Sequence, residues 1–136
     1  MTPYRSESGY SDSRRPDTVT FGVSLAEDLA RRDFTVNAIA FRLSDQSIVD
    51  LYGGMDDLKA KRLKAVGVAD ERFAEDALRM MRAVRLAAEL DFVIETETMS
   101  GIVRNAAQLE KIAIERVSAE FVRLINSPTP MQGIIF

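Results

Sequence analysis

The chain has 136 residues, of which 46% are hydrophobic and 29% are charged, a composition typical of a soluble globular protein rather than a disordered one. It contains no cysteine and no histidine, which excludes disulfides, thiolate or imidazole metal ligands, cysteine nucleophiles and histidine general bases. Its formal net charge of −3 argues against coating of nucleic acid by bulk electrostatics, so any phosphate site must be a local cluster of basic side chains.

No apolar run approaches the roughly 20 residues that cross a membrane, and the N-terminal residues are polar rather than those of a signal peptide. We therefore expect a cytoplasmic protein with no membrane partner. Without cysteine or histidine, a metal ion could be held only by oxygen ligands, which favours magnesium or calcium.

The first elements are irregular or extended. Residues 1–20 are rich in serine, arginine and aspartate and predict a flexible loop, or simply a mobile N-terminal tail. Ser24, with Glu27 three residues later, predicts a capped helix start. The segments AIAFRL and SIVDL, separated by a polar turn, are predicted to pair as a β-hairpin.

The rest of the chain reads as helical after a glycine-rich break. Gly53 and Gly54 end the second strand, and a short helix and a third short strand over residues 63–66 are expected to follow. Helices are then predicted over residues 71–89, 97–105 and 114–126. This order predicts an α+β fold, with a β-rich piece too small to be stable alone and a boundary near residues 60–70. Both ends look cut, so we expect a fragment.

The predicted helix over residues 71–89 carries the most suggestive polar side chains. Asp76, Arg79, Arg82 and Arg85 recur at steps of three, and the rest of the helix provides an apolar stripe that can be buried. Arginine offers forked donors that suit phosphate oxygens, whereas a carboxylate only accepts hydrogen bonds. The combination suits a nucleoside triphosphate. The alternative is a solvated helix face with weak ion pairs.

A second candidate group is Arg32 and Asp33 followed by Asn37. Asp33 and Asn37 would share one face of a helix and could bond a ribose hydroxyl while Arg32 reaches a phosphate. The alternative is a helix end whose cations offset the helix dipole. Likewise, Glu115, Arg116 and Glu120 are most simply an ion-pair network along a helix.

Four segments in order make the pattern specific: RRDFTVNAIAF, DLYGGMDDL, RFAEDALRMMRAVRLAAELDF and ERVSAEF. Together they closely resemble the bacterial, class II tRNA nucleotidyltransferases, which are the CCA-adding enzymes, and their relatives the bacterial poly(A) polymerases. The resemblance extends over nearly the whole chain. It implies that residues 1–62 are the C-terminal part of a polymerase-β-like nucleotidyltransferase head, with residues 1–20 as its flexible loop. Residues 63–136 would be a truncated helical neck.

The resemblance also implies six nucleotide-binding residues, namely Arg32, Asp33, Asp76, Arg79, Arg82 and Arg85. The first two would contact the phosphates and ribose of ATP or CTP. Asp76 and Arg79 would read the base edge as a protein template, and Arg82 and Arg85 would hold the triphosphate. The three polar residues of ERVSAEF would be structural supports.

One family element has no counterpart. The resemblance implies catalysis by Mg²⁺ held on an Asp-x-Asp pair in an early strand, and no such pair occurs in this sequence. We therefore assign no residue of this chain to catalysis or to a metal. The expected function is a fragment of an enzyme that adds CMP and AMP to the 3′ end of tRNA or another RNA. Alone, it is expected not to catalyse, and the missing part of its own enzyme is a possible partner.

Three alternatives remain open at this point. The chain could be a non-catalytic nucleotide- or RNA-binding remnant. Within the same family, it could come from a poly(A) polymerase rather than a CCA-adding enzyme. A purely structural helical module would require the four segments to match by accident.

Overall fold

The computed structural model describes residues 5–8, 18–21 and 24–134. Its first elements are β1 (Arg5–Ser8), β2 (Thr18–Phe21), α1 (Leu25–Ala30), a 3₁₀ helix (Thr35–Asn37), β3 (Ile39–Arg42), β4 (Ser47–Asp50), α2 (Gly54–Lys59) and β5 (Arg62–Leu63). The remaining ones are α3 (Ala69–Glu75), α4 (Leu78–Leu90), β6 (Val93–Ile94), α5 (Thr96–Asn105), a second 3₁₀ helix (Ala106–Lys111), α6 (Ile114–Ile125) and α7 (Pro130–Ile134). The predicted α+β class is confirmed. None of the helices in the described part of the chain is long and apolar enough to span a membrane.

The segment predicted to be a flexible loop contains two paired strands. β1 and β2 are antiparallel, with Arg5 opposite Phe21 and Ser8 opposite Thr18. The main-chain hydrogen bonds that pair two strands do not require aliphatic side chains. The polar composition of residues 1–20 therefore gave no indication of β1 and β2. The remainder of the predicted loop lies outside the described residues.

The capped helix and the hairpin are confirmed. Ser24 Oγ accepts a hydrogen bond from the Glu27 amide (3.2 Å), and Glu27 Oε2 accepts one from the Ser24 amide (2.9 Å). This reciprocal pair is a capping box that starts α1. β3 and β4 pair antiparallel, with Phe41 opposite Ile48.

The adjacent glycines after β4 are needed for different reasons. Gly53 has φ +74°, in the left-handed region that favours glycine, and a side chain there would meet open space. Gly54 begins α2 so close to the first 3₁₀ helix that a Cβ would lie 2.1 Å from the Thr35 carbonyl oxygen. Asp50 fixes this turn, because its carboxylate accepts hydrogen bonds from the amides of Gly54 (2.8 Å) and Met55 (2.9 Å).

The β-rich and helical parts are joined by main-chain hydrogen bonds. The Thr35 amide donates to the Lys64 carbonyl (2.9 Å), and the Val66 amide donates to the Asp33 carbonyl (3.0 Å). β5 pairs in parallel with β6, which follows α4. The third strand predicted over residues 63–66 instead begins at Arg62 and ends at Leu63. The turn that carries Asp33 is therefore attached directly to the helical part.

The predicted long helix over residues 71–89 is wrong as a single helix. α3 ends at Glu75, Asp76 is extended (φ −151°, ψ 104°), and α4 starts at Leu78. Asp76 Oδ1 accepts a hydrogen bond from the Leu78 amide (3.1 Å), as expected of an aspartate that competes with helical hydrogen bonding at a helix start. The apolar periodicity runs through the break and therefore concealed it.

The later helices agree with the prediction. α5 and α6 begin and end within one residue of the expected positions, and α7 follows them at Pro130–Ile134. One apolar cluster holds Phe34, from the β-rich part, against Leu63, Ala83, Ala87 and Ile94. Because Phe34 is fully buried, it anchors the preceding Asp33 beside α4.

We expect Gly54→Ala to lower the free energy of unfolding by about 2 kcal/mol or more, because the new methyl group must displace the Thr35 carbonyl. Gly53→Ala is the matched control. This substitution meets no neighbouring atom and strains only the left-handed backbone conformation of residue 53, so it should lower the free energy of unfolding by about 1 kcal/mol. Urea unfolding followed by circular dichroism measures both, and equal losses would contradict the close approach at Gly54.

Candidate functional site

A cleft of about 520 Å³ opens where α1, the α3–α4 junction and α6 meet. Its lining comprises Arg31, Arg32, Asp33, Asn37, Asp76, Leu78, Arg79, Arg82 and Arg116. Five arginines and two aspartates thus face one space, although the chain as a whole carries a net charge of −3. This local excess of positive charge suits a polyanionic ligand.

A buried carboxylate holds two of these arginines at the end of α1. Asp28 is 2% exposed and accepts hydrogen bonds from Arg31 and, at 2.7 Å, from Arg32 Nη2. Burial alone would raise the pKa of Asp28, but the hydrogen bonds and charges of the two arginines outweigh it and keep the pKa below its usual value. Arg32 Nε is also buried and has no hydrogen-bond partner among the described residues.

Asp33 is the most densely bonded group of the cleft. Its Oδ1 accepts from the Phe34 amide (2.9 Å) and from Asn37 Nδ2 (3.2 Å). Its Oδ2 accepts from Arg82 Nε (2.9 Å) and Nη2 (2.6 Å). Burial alone would raise the pKa of Asp33, but the Arg82 charge and these hydrogen bonds outweigh burial and keep the pKa below its usual value. The structure therefore brings Asp33 and Asn37 together, and Asp33 orients Arg82.

Arg79 lies in the wall of the cleft and ties α4 to α1. It donates to the Arg31 carbonyl (3.3 Å), and Arg72 donates in the same way to the Ala30 carbonyl (2.9 Å). These carbonyls belong to the last turn of α1, where cations are favourable. Glu75 accepts from both Arg72 and Arg79 at 2.6 Å. Arg79 is thus held in a fixed position by α1 and by Glu75.

Asp76 reaches the cleft because the helix breaks there. While Oδ1 bonds the Leu78 amide, Oδ2 accepts from Arg116 Nη2 at 3.0 Å. Arg116 comes from α6, 40 residues further along the chain. The sequence pattern predicted an ion-pair network along one helix for Arg116, and local spacing contained no signal for this distant partner.

Arg85 lies apart from the other five predicted residues. Its side chain is 3% exposed and does not line the cleft. Arg85 Nε donates to Glu120 Oε2 (2.5 Å), and Nη1 donates to Glu89. Burial lowers the pKa of Arg85, but hydrogen bonds to the two carboxylates raise it above its ordinary value.

The expectation that Arg85 holds a triphosphate is therefore corrected: its guanidinium belongs to a buried ion-pair cluster. The physical reason is helix geometry. Steps of three residues fall about 60° short of a full turn, so the arginine ridge on α4 turns from the cleft towards α6. Arg82 faces Asp33 at the cleft, and Arg85 faces Glu120.

Comparison with protein families gives two matches. Residues 1–64 match the family described as "Poly A polymerase head domain". Residues 91–135 match the family described as "Probable RNA and SrmB- binding site of polymerase A".

Curated relatives match almost the full chain. It is 56% identical over 133 residues to the CCA-adding enzyme of Limosilactobacillus reuteri (strain DSM 20016), covering 98% of this chain and 33% of the relative. It is 58% identical over 134 residues to the CCA-adding enzyme of Latilactobacillus sakei subsp. sakei (strain 23K), covering 98% and 34%. The chain thus spans about a third of the length of the curated relatives it matches.

Solved structures show the same fold. The Bacillus stearothermophilus CCA-adding enzyme in complex with CTP superimposes with a TM-score of 0.80 at 45% identity, covering 85% of this chain and 29% of that one. The Thermotoga maritima CCA-adding enzyme complexed with tRNA_CCA superimposes with a TM-score of 0.74 at 30% identity, covering 81% and 28%.

We expect Arg85→Met to lower the free energy of unfolding by about 3–5 kcal/mol, because Glu120 would remain buried without its cation. The double variant Arg85→Met/Glu120→Leu should recover most of this loss, since it removes the unpaired charge. Urea unfolding at neutral pH measures both variants. A double variant as unstable as the single one would contradict the structural role given to this pair.

Proposed function

Because the chain belongs to the family of bacterial tRNA nucleotidyltransferases and poly(A) polymerases, we propose that its arginine-rich cleft selects the nucleotide for template-independent RNA synthesis. The reaction is the addition of CMP and AMP, from CTP and ATP, to the 3′ end of tRNA. One observation carries the proposal. Asp76, an acceptor, and Arg79, a donor, border the same cleft as four further arginines.

The two residues match the hydrogen-bonding edges of cytosine and adenine. Each of these bases presents an amino donor beside a ring-nitrogen acceptor, whereas uracil presents a carbonyl acceptor beside an N–H donor. A carboxylate accepts only, and a guanidinium donates only. An Asp76–Arg79 pair therefore favours cytosine and adenine and disfavours uracil. No nucleic-acid template is needed for this distinction.

The other arginines suit the triphosphate. Arg32 uses its Nη2 on Asp28, and Arg82 uses its Nε and Nη2 on Asp33. A guanidinium has five N–H donors, so Arg82 retains donors for a phosphate. Asp28 and Asp33 hold these arginines in place before any ligand arrives, which reduces the ordering that binding requires.

We further propose that residues 1–62 form the end of a catalytic head and residues 63–136 form its helical neck. The cleft takes Arg32 and Asp33 from the first part, and Asp76 and Arg79 from the second. In this proposal the head contributes phosphate contacts and the neck reads the base.

Magnesium enters the proposal only through the complete enzyme. Within the described residues, no three acidic side chains come together in a group that could hold a metal ion. No step that involves a metal is therefore assigned to this part of the chain. We propose that its own residues bind and select the nucleotide and that the metal ligands belong elsewhere in the enzyme.

Addition of AMP alone is the second candidate. Both matched family descriptions name a poly(A) polymerase or polymerase A, which favours this reading. Adenine and cytosine present the same donor and acceptor to Asp76 and Arg79, so the cleft accommodates both. Comparable affinities for ATP and CTP support CCA addition, and a strong preference for ATP supports poly(A) synthesis.

We expect Asp76→Ala to weaken CTP binding by about tenfold or more, since it removes a charge-assisted hydrogen bond. Arg79→Ala should have a similar effect. Isothermal titration with CTP and with ATP measures both. Asp70→Ala is the matched control, because Asp70 lies on α3, pairs with exposed Arg104 (2.7 Å) and does not line the cleft. Binding by the control must remain unchanged, and binding that is indifferent to Asp76 and Arg79 would refute base reading by this pair.

Incubation with tRNA lacking its terminal CCA, together with CTP, ATP and Mg²⁺, separates selection from catalysis. We expect the 136-residue chain to bind nucleotide but to incorporate neither CMP nor AMP, because it has no Asp-x-Asp pair. Gel analysis of the labelled tRNA measures incorporation. An extended tRNA would show that this chain contains its own catalytic residues, and absence of nucleotide binding would reduce it to a structural part of the enzyme.

A further inference from the structure

We propose that Arg116 is a positioning residue for base selection: it fixes the Asp76 carboxylate in the orientation that distinguishes cytosine from uracil. This inference rests on the proposed function. Arg116 lines the cleft, and its Nη2 donates to Asp76 Oδ2 at 3.0 Å. Its effect on the nucleotide would pass through Asp76.

The Asp76 carboxylate is held at two points. Oδ1 bonds the Leu78 amide (3.1 Å) at the start of α4, and Oδ2 bonds Arg116 from α6. A carboxylate has about four lone-pair sites, so two such bonds leave acceptor capacity for a base. If the Arg116 bond is lost, a single hydrogen bond remains, and the carboxylate can rotate about it.

Asp76 needs this second support because of its place in the backbone. It lies in the extended break between α3 and α4 rather than within a helix, and its side chain is 30% exposed. No helical turn restricts its rotamer there. Arg116 is less exposed, at 21%, and projects from α6, which packs along α4. The guanidinium is therefore a firmer reference point than the carboxylate it contacts.

Fixing a carboxylate affects selection more than overall affinity. The N4 amino group of cytosine donates to a correctly oriented carboxylate, whereas the O4 atom of uracil is an acceptor that the same carboxylate repels. A carboxylate that can rotate loses the attraction and also escapes the repulsion. The triphosphate contacts are common to both nucleotides and do not depend on this orientation.

α6 provides a matched control within the same helix. Three ion pairs join it to α4 and to the break between α3 and α4: Arg116–Asp76 (3.0 Å), Glu120–Arg85 (2.5 Å) and Arg123–Glu89 (3.7 Å). Arg123 is an arginine that pairs with an acid, as Arg116 does, but it does not line the cleft. Arg123→Ala therefore removes one ion pair of α6 without removing a hydrogen bond to Asp76.

The experiment is a titration of CTP and of UTP into the wild-type chain, Arg116→Ala, Arg116→Gln and Arg123→Ala. We expect both Arg116 variants to reduce the ratio of CTP to UTP affinity about fivefold or more, the effect of weakening one charge-assisted hydrogen bond. Arg123→Ala should retain the wild-type ratio. Arg116→Gln keeps most of the side-chain volume, so it still provides the measurement if Arg116→Ala does not fold.

A double-variant cycle tests whether the effect passes through Asp76. In the Asp76→Ala background, Arg116→Ala should not change the CTP to UTP ratio any further. An additional loss in that background would show that Arg116 acts on the base by another route and would overturn the inference.

The remaining outcomes separate the two proposals. If the wild type prefers CTP and both Arg116 variants keep that preference, the positioning role fails while the proposed function stands. An equal loss of CTP and UTP affinity would make Arg116 a phosphate contact or a purely structural residue, which also overturns the inference. A wild-type chain that does not prefer CTP over UTP refutes both.

Discussion

The contact between Asp33 and Arg82 is the interaction on which the cleft depends. These residues are 49 positions apart, and the bonds of Arg82 Nε and Nη2 to one carboxylate oxygen join the β-rich part to α4. Asp33 is buried, so its charge requires the cation and the hydrogen bonds that surround it. The neighbouring Phe34 side chain fixes the same turn because it is packed in the apolar core. The two adjacent residues thus pack into the apolar core and hold the Arg82 guanidinium at the cleft.

The break at Asp76 adds the second essential feature. In an uninterrupted helix, Asp76 would be one more residue on a rotating surface, and its carboxylate would compete with the helix for hydrogen bonds. In the extended conformation it starts α4 with one oxygen and still presents the other to Arg116. Glu75, one residue earlier, holds Arg72 and Arg79 against the end of α1. The junction therefore places the side chains of Asp76 and Arg79 in one wall of the cleft, each held by hydrogen bonds within the fold.

Local signals in the sequence predicted most helices and strands correctly. Contacts between residues far apart in the chain could not be predicted from such signals. The capping box at Ser24 and the hairpin of β3 and β4 follow from residues within a few positions of each other, so both were predicted. Of the six predicted site residues, the structure brings all but Arg85 to one cleft. The faces of Arg85 and Arg116 depend on how α6 packs against α4, and this packing has no local sequence signal. The break at Asp76 was not predicted either, because buried Phe73, Ala77 and Met80 continue the apolar periodicity across it.

The position of α6 gives the cleft a further property. α6 lies within residues 91–135, the segment that matches the family described as "Probable RNA and SrmB- binding site of polymerase A", and Arg116 on it contacts the Asp76 carboxylate. The ion pairs of Glu120 and Arg123 hold α6 against α4 at two further points. Of these pairs, the Arg85–Glu120 contact is buried and costly to break, whereas the Arg123–Glu89 contact is exposed and weak. The Arg116–Asp76 contact therefore depends on how α6 packs against α4, and the buried Arg85–Glu120 pair is the strongest of the ion pairs that hold this packing.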